Sequence, residues 1–257
     1  MLHVEKSTIM KITLLQQDIV WGDPQANCQK ASEFIDRNPG SDIYVLPEMF
    51  STGYATEPEG FADEKGFALS WMTEKARQIN AAICGSVAVE EFGRFYNRFY
   101  FVRPNGVETL YDKHHLFTYA GENQHFTAGK HRVIFGYAGK LFLPQICYDL
   151  RFPCYSRNHK EYDVAIYVAS WPSVRQHAWD TLLRARAIEN QCYVVGVNRV
   201  GDDPACHYNG GSCVIDPWGE SIAVCEFGKE DVATAEIDVD KLHDFRNKFP
   251  VLNDQDF

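Results

Sequence analysis

The sequence lacks a long hydrophobic run, and it lacks an excess of basic residues. No apolar stretch reaches the roughly 20 residues that a membrane-spanning helix needs, and the first eight residues contain no extended apolar core of a signal peptide. Acidic residues outnumber basic ones, 35 to 25, and the formal net charge of −10 disfavours binding to nucleic acid or to an anionic membrane. We therefore expect a soluble cytoplasmic protein whose partners are small molecules.

The eight cysteines include no Cys-x-x-Cys pair and form no cysteine and histidine cluster with zinc spacing, so we predict no structural metal. In the cytoplasm these thiols would be reduced. Cysteine is most often a small buried hydrophobic residue, so we predict structural burial for all of them except Cys147. The seven are Cys28, Cys84, Cys154, Cys192, Cys206, Cys213 and Cys225.

The chain has 257 residues, enough for one large domain or two small ones, and no Pro-, Gly- or Ser-rich linker divides it. We predict a single domain over residues 1–257, with its core at residues 11–237 and a polar lead-in at residues 1–9. The tail, residues 238–257, is too polar to hold itself in place and should pack on its own subunit or on a second copy. Its apolar residues Phe249, Val251, Leu252 and Phe257 would make that contact.

Hydrophobic periodicity predicts an α/β fold with mixed sheets. Helical spacing occurs at residues 27–38, 67–80, 175–190 and 239–245. Strands are predicted at residues 11–17, 41–47, 81–89, 95–103, 107–111, 132–137, 140–146, 163–170, 193–198, 212–215, 221–226 and 232–237. The segment 118–130 has no periodicity and is predicted to be a loop, as is the polar stretch from residue 201 to residue 211.

Three residues with reactive side chains stand at the ends of predicted strands. Glu48 follows Val-Leu-Pro, Lys113 precedes His-His-Leu-Phe, and Cys147 precedes Tyr-Asp-Leu-Arg-Phe-Pro. Ligand sites in open α/β sheets gather at the carboxyl ends of strands, which favours one site that contains all three. Cys147 should lie where a strand turns into a helix that Pro153 can open, and the backbone N–H groups and helix dipole there favour a thiolate.

With these motifs the sequence resembles the nitrilase superfamily of carbon-nitrogen hydrolases, whose catalytic Glu, Lys and Cys occur in this chain order. Leu-Pro-Glu, Asp-Lys-His-His-Leu-Phe, Ala-Gly-Glu and Ile-Cys-Tyr-Asp-Leu-Arg-Phe-Pro are all in register between residues 11 and 237. The stretch from Ala169 to Gly201, with Trp-Pro-Ser-Val-Arg-Gln-His-Ala-Trp, is most similar to the bacterial omega-amidase branch. Members of that branch hydrolyse the terminal amide of 2-oxo dicarboxylic acid monoamides such as 2-oxoglutaramate and 2-oxosuccinamate.

The resemblance implies a four-layer α-β-β-α sandwich that pairs with a second subunit through helices, giving a homodimer or a larger homo-oligomer. It implies that Cys147 is the nucleophile, that Glu48 is the general base, and that Lys113 and the backbone N–H of Tyr148 stabilise the oxyanion. The residues alone favour an exposed carboxylate for Glu122, whereas the resemblance makes it a second glutamate that orients substrate or water. No metal or organic cofactor is required.

The pocket candidates are loop residues that follow strand ends, where binding residues concentrate. They are Phe117, Tyr119, Trp171 and Arg175. Tyr119 stands where the family pattern leads us to expect an apolar residue. Arg151 is predicted to form a structural tie with Asp149, so Arg175 ranks before Arg151 as the cation that holds a substrate carboxylate.

Three other interpretations compete with this one. The same triad would serve a nitrilase, an N-carbamoyl amidase or an aliphatic amidase, and the sequence separates these poorly. A catalytically inactive binding scaffold belongs to a different class, but a scaffold has no need of Glu48, Lys113 and Cys147 together. A thiol protease is weaker still, because none of the nine histidines lies in a recognisable cysteine-protease motif.

Overall fold

Strands and helices alternate along most of the chain in the computed structural model, which describes residues 9–63 and 66–256. The strands are β1 (Ile9–Gln16), β2 (Ile43–Val45), β3 (Ala82–Glu91), β4 (Arg94–Val102), β5 (Glu108–Asp112), β6 (Phe135–Tyr137), β7 (Lys140–Ile146), β8 (Val164–Ala169), β9 (Tyr193–Asn198), β10 (Val200–Asp202), β11 (His207–Asn209), β12 (Cys213–Ile215), β13 (Ser221–Val224) and β14 (Asp231–Asp238). The α-helices are α1 (Pro24–Arg37), α2 (Phe67–Ile79), α3 (Glu122–His125), α4 (Pro153–Ser156), α5 (Gln176–Asn190) and α6 (Val239–Lys248). Of the lead-in predicted for residues 1–9, all but Ile9 lies outside the described residues, as does Phe257.

The strands form two large sheets with the same plan. One has the order β14-β1-β2-β3-β4-β5 and the other the order β13-β12-β9-β8-β7-β6. In the first, β1, β2 and β3 are parallel, and in the second, β7, β8 and β9 are parallel. In both sheets, the strands on either side of these three parallel strands pair antiparallel to them. The predicted mixed sheets are therefore confirmed.

Hydrophobic side chains hold these sheets and helices together in four layers. Ile12 of β1 and Ile166 of β8 belong to the same buried cluster, which fills the space between the sheets. A second cluster joins the outer face of the first sheet to α1 and α2, and a third joins the outer face of the second sheet to α5. The fold is the predicted α-β-β-α sandwich.

Strand β8 shows why such strands are apolar throughout. Its residues Val164, Ile166 and Val168 face the first sheet, while Ala165 and Tyr167 face the α5 side. Successive side chains of a strand point to opposite faces, so a strand covered on both sides must be apolar at every position. The ends of such strands are where polar side chains can first appear, and this places the site.

Two helices extend beyond their predicted bounds because of their caps and end residues. Helix α1 begins at Pro24, three residues before the predicted start at Asn27, since Asp23 Oδ1 accepts the backbone N–H of Ala26 at 3.0 Å and Pro24 suits the first helical position. Helix α6 continues to Lys248, past the predicted end at Phe245. The amphipathic pattern locates both helices, but it does not define their ends.

Two predicted loops are partly ordered into regular structure. The segment 118–130 contains a 3-10 helix, Thr118–Ala120, and then α3, with Gly121 between them. The stretch from residue 201 to residue 211 contains the short antiparallel pair of β10 and β11. The sequence did not predict these helices and strands, because each is too short to show a hydrophobic periodicity.

The C-terminal segment packs against its own subunit. Leu242 of α6 is buried in the cluster between the sheets, and Arg246 Nη2 donates to the carbonyl of Tyr162 at 2.8 Å. Leu252 is 6% exposed, whereas Phe249 is 55% exposed. Within the described ranges, no helix has the length and apolar character that crossing a membrane would need.

The burial predicted for the seven other cysteines holds for five of them. Cys28, Cys84, Cys192, Cys213 and Cys225 are buried, whereas Cys206 is half-buried and Cys154 is exposed. Cys154 is the second residue of α4, a single helical turn on the surface, and Cys206 lies on the loop between β10 and β11. At these two positions the side chain faces solvent, so the apolar character of cysteine does not bury it.

Candidate active site

Strand ends bring the predicted residues together. Glu48 follows β2, Lys113 follows β5 and Cys147 follows β7. Lys113 Nζ donates to Glu48 Oε1 at 2.9 Å and to Glu122 Oε2 at 2.9 Å. The side chains of Glu48, Lys113 and Glu122 are all 0% exposed. A buried ammonium is thus held between two buried carboxylates.

Glu122 is not the exposed carboxylate that the residues alone suggested. It is the first residue of α3, and this single turn directs its side chain to Lys113. The backbone N–H of Phe117 donates to Glu122 Oε2 at 2.5 Å. Burying a charge is costly unless it is paired and hydrogen-bonded, and these contacts supply both conditions. The exposed placement was therefore wrong.

Cys147 occupies a strained turn at the end of β7. Its φ is 46°, in the left-handed region that residues with a side chain rarely adopt. It begins a 3-10 helix, Cys147–Arg151, and Pro153 opens the four-residue α4 after it. The strand does turn into a helix as predicted, but that helix is short and its dipole is correspondingly small.

The thiol of Cys147 is neutral in the resting site. Burial raises its pKa well above the ordinary value, the carboxylate of Glu48 raises it further, and the ammonium of Lys113 lowers it in part. The thiolate favoured by the strand-end position is therefore not the resting state. A neutral thiol must lose its proton at the moment of attack, and Glu48 is the neighbouring carboxylate that can accept it.

Lys113 keeps its charge despite complete burial. Burial lowers its pKa, but Glu122 and Glu48 more than compensate, so the pKa lies above that of an ordinary lysine. The ring of Tyr54 lies close, with its centre 5.3 Å from Lys113 Nζ. Burial raises the pKa of the Tyr54 phenol, and Glu122 and Glu48 raise it further, so this group stays protonated. The site therefore has a permanent cation.

Asp149 connects the turn of the cysteine to the segment of the lysine. Its Oδ2 accepts from the Tyr111 hydroxyl at 2.7 Å and from the backbone N–H of Ile146 at 3.0 Å. Its Oδ1 accepts from the backbone N–H of His115 at 2.9 Å. The predicted tie between Arg151 and Asp149 is therefore wrong, because Asp149 bonds to the flanks of Cys147 and Lys113 instead.

A cavity of about 530 Å³ gives access to the cysteine. Its wall contains most of the predicted site residues outside the buried cluster: Phe117, Cys147, Tyr148, Arg151, Trp171 and Arg175. Tyr119 is 85% exposed and lies at the rim, where its ring centre is 5.7 Å from that of Phe117. The cavity is of the size that small-molecule sites have.

Two arginines supply positive charge to the cavity wall. Arg151 Cζ lies 4.8 Å from the ring centre of Trp171, and Arg175 Cζ lies 5.3 Å from that of Phe117. In residues 9–63 and 66–256, neither guanidinium is bonded to a carboxylate. The same wall also contains three carboxylates, Glu57, Glu59 and Asp203. Asp203 accepts the backbone N–H groups of two nearby residues, whereas Glu57 and Glu59 are exposed to solvent, which screens their charge. Beside the two guanidiniums the wall can therefore bind an anion.

Several residues of the site were missed from the sequence. Tyr54, Cys206 and Tyr208 line the cavity, and Asn97 of β4 contacts both buried glutamates. Each belongs to a loop or strand with no recognisable motif. The alternation of β4 could have marked Asn97 as a polar side chain among apolar ones, and this was the one available signal.

Known proteins are similar in sequence to this chain over nearly its full length. The sequence profile of the carbon-nitrogen hydrolase family matches residues 11–247. The chain is 47% identical over 248 residues to the omega-amidase YafV of Escherichia coli strain K12, which covers 96% of this chain and 97% of that protein. It is 39% identical over 251 residues to the 2-oxoglutaramate amidase of Bacillus subtilis strain 168, covering 95% of this chain and 96% of the relative.

A solved structure shares the fold. XC1258 from Xanthomonas campestris, a CN-hydrolase superfamily protein with an arsenic adduct in its active site, superposes with a TM-score of 0.93 at 38% identity. The superposition covers 97% of this chain and 98% of that protein. The four layers are therefore those of an existing hydrolase superfamily.

Proposed function

This chain belongs to the carbon-nitrogen hydrolase family and is an enzyme that acts on amides, and we propose that it is an omega-amidase. Its substrates would be small 2-oxo dicarboxylic acid monoamides, such as 2-oxoglutaramate and 2-oxosuccinamate, and its products the dicarboxylic acid and ammonia. The observation that supports this best is that one cavity contains both Cys147 and two arginines, Arg151 and Arg175, which make no hydrogen bond to a carboxylate of the described residues. Such a cavity suits a molecule with an amide at one end and a carboxylate at the other.

Acylation would begin with proton transfer from the Cys147 thiol to Glu48. The sulfur attacks the amide carbon, and the carbonyl oxygen takes up the negative charge of the tetrahedral intermediate. When this intermediate collapses, the carbon–nitrogen bond breaks, Glu48 returns the proton to the nitrogen, and ammonia leaves. The acyl group stays on Cys147 as a thioester.

Deacylation would use the same base. A water molecule gives a proton to Glu48 and its oxygen attacks the thioester carbon. The second tetrahedral intermediate breaks the carbon–sulfur bond, the acid is released, and the proton on Glu48 restores the Cys147 thiol. Glu122 would orient the water or the substrate through its contacts with Lys113 and the Phe117 N–H.

Lys113 and the backbone N–H of Tyr148 would stabilise the oxyanion in both steps. The raised pKa of Lys113 keeps the ammonium charged at every working pH. A fixed charge that is already oriented in a buried site needs no reorganisation as the oxyanion forms. The 3-10 helix that starts at Cys147 supplies the Tyr148 N–H at the adjacent position.

We predict that the enzyme prefers 2-oxo dicarboxylic acid monoamides to uncharged amides and to nitriles. A charge-assisted hydrogen bond between a guanidinium and the distal carboxylate should give about ten- to a hundredfold higher kcat/KM. The measurement compares 2-oxosuccinamate and 2-oxoglutaramate with propionamide, a carbamoyl amino acid and a simple nitrile.

A matched pair of variants assigns that preference to the cavity. Arg175→Gln should remove most of the discrimination, whereas Arg184→Gln, at an exposed position of α5, should keep it. A preference for the carbamoyl compound, the nitrile or the simple amide would instead assign the enzyme to another branch of the superfamily. Absence of turnover with every compound would favour the binding scaffold.

We also propose that the protein forms a homodimer through the α5 side. Ile188 of α5 is 50% exposed, Trp218 64% and Phe249 55%, which is unusual for large apolar side chains so close together. The rings of Trp218 and Phe245 lie 4.1 Å apart, so the patch is continuous with α6. A second copy would cover these residues.

Light scattering at micromolar concentration should therefore report about twice the chain mass of 29.3 kDa. Trp218→Asp should shift the protein toward the monomer because a charge would be buried at the interface. Phe92→Asp, at a turn where Phe92 is 97% exposed, should leave the dimer unchanged. A wild-type mass equal to one chain would refute the dimer.

We further propose that the enzyme works in the cytoplasm. All eight cysteines are free thiols, and the proposed nucleophile must stay reduced to act. A reducing compartment provides that condition. The proposed substrates are small polar metabolites, which agrees with the same location.

A further inference from the structure

We propose that Asn97 is a positioning residue that forms a second bridge between Glu48 and Glu122 and so allows both carboxylates to carry charge beside a single lysine. The inference rests on the proposed roles of Glu48 and Cys147. Asn97 lies on β4 between the two glutamates, and its side chain is 0% exposed. It belongs to no motif, and none of the steps above requires it to touch the substrate.

Four polar atoms form a closed ring in the site. Asn97 Nδ2 donates to Glu48 Oε1 at 2.8 Å and to Glu122 Oε1 at 3.2 Å. Lys113 Nζ donates to the same two oxygens, at 2.9 Å and 3.1 Å. The two carboxylates are therefore joined by a charged donor on one side and by a neutral donor on the other.

The charge balance explains why a second donor is needed. The titratable groups that face this ring in the described chain are Glu48, Glu122, Lys113, Cys147 and Tyr54. The thiol and the phenol are neutral. With both carboxylates ionised, as the proposal has it, two negative charges share one ammonium and the cluster carries an excess negative charge. Hydrogen bonds to the charged form favour ionisation. Without the Asn97 amide, the cluster would retain a proton to higher pH.

The ring also determines which oxygen of Glu48 can act as the base. Oε1 accepts hydrogen bonds from both Lys113 and Asn97. In the described chain, Oε2 accepts one from the backbone N–H of Ser170, at 2.8 Å. A carboxylate oxygen has two lone pairs, so Oε2 keeps one for the thiol proton. By occupying Oε1, Asn97 therefore leaves Oε2 of Glu48 as the oxygen that accepts the thiol proton, and it also stabilises the charge of Glu48.

The test is the pH dependence of kcat/KM in Asn97→Leu. At pH 7 we expect kcat/KM to fall by about 10- to 100-fold, the scale of a lost hydrogen bond to a charged group. The acidic limb of the profile should move to higher pH by about one unit, so that activity recovers in part at alkaline pH. Alkylation of Cys147 by iodoacetamide, mapped by mass spectrometry, should show the same shift without any substrate.

Asn158→Leu is the matched control. Asn158 is also 0% exposed, and its Nδ2 donates two hydrogen bonds, to the carbonyls of Tyr162 and Asn190 at 2.9 and 3.0 Å. This variant should lose stability without moving the acidic limb. Should Asn97→Leu fail to fold, the nearly isosteric Asn97→Asp adds a third carboxylate and should move the limb further in the same direction.

Two results would overturn the inference. One is that the acidic limb of the pH profile of kcat/KM in both Asn97 variants superimposes on that of the wild type. The other is a loss of activity that is equal at every pH and is accompanied by the same fall in melting temperature as in Asn158→Leu. Wild-type activity that is insensitive to alkylation of Cys147 would instead contradict the proposed triad itself, so the two failures are distinguishable.

Discussion

Replacing Cys147 with alanine should abolish amide hydrolysis while leaving the fold intact. The sulfur of Cys147 is the atom that would bond to the substrate carbon, and neither Glu48 nor Lys113 can replace it. Loss of a covalent nucleophile lowers turnover by about 10⁴-fold or more. Ammonia release from 2-oxoglutaramate measures the activity, and the melting temperature reports the fold. The expected result is no detectable ammonia at a melting temperature close to that of the wild type.

Cys206→Ala is the control for this experiment. Cys206 lines the same cavity and is half-buried, so its replacement tests whether any thiol in the cavity would serve. Its turnover should stay within severalfold of the wild type, because it lies on the loop between β10 and β11, outside the cluster of buried charges. If Cys147→Ala kept turnover and Cys206→Ala lost it, Cys206 would be the nucleophile and Cys147 would not.

Replacing Lys113 with methionine should lower kcat by about 10²- to 10³-fold or more, the scale seen when an oxyanion donor is lost. The variant removes the ammonium that stabilises the developing charge. It also leaves Glu48 and Glu122 buried without their shared cation, so the melting temperature should fall as well. Steady-state kinetics and thermal unfolding measure the two effects separately.

Lys75→Met controls for the loss of a buried, ion-paired lysine elsewhere, whose partner Asp36 is exposed. Lys75 is 5% exposed and its Nζ lies 2.7 Å from Asp36 Oδ1, on the helices that cover the first sheet. That variant should lower stability with little effect on kcat. Near-normal turnover in Lys113→Met would mean that His114, His115 or another group stabilises the oxyanion.

The parts of the fold that the sequence predicts well are those in which every residue obeys one constraint. Strand β8 is covered on both faces, so it is apolar at each position and its ends are easy to locate. The same reasoning put Glu48, Lys113 and Cys147 at strand ends, and the topology then brings those ends together. The four-layer arrangement came from the family resemblance, because local periodicity does not report which sheet faces which.

The parts that could not be predicted depend on contacts between distant segments. Glu122 appears exposed in a loop without periodicity, yet one turn of helix buries it against Lys113. Cys147 has a positive φ in a turn next to Asp149, whose hydrogen bonds join residues more than 30 positions apart. Asn97 gives no motif, since its role exists only when Glu48 and Glu122 meet on either side of it.

The central claim is that the amide is cleaved through a thioester on Cys147, and the most direct test is mass spectrometry of enzyme quenched with acid during turnover of 2-oxoglutaramate. We predict an increase in intact mass equal to the acyl group of the substrate, located by peptide mapping on Cys147 and absent from Cys147→Ala. An acyl group on Cys206 or on any other cysteine, or steady turnover with no adduct on Cys147 at any quench time, would contradict the account.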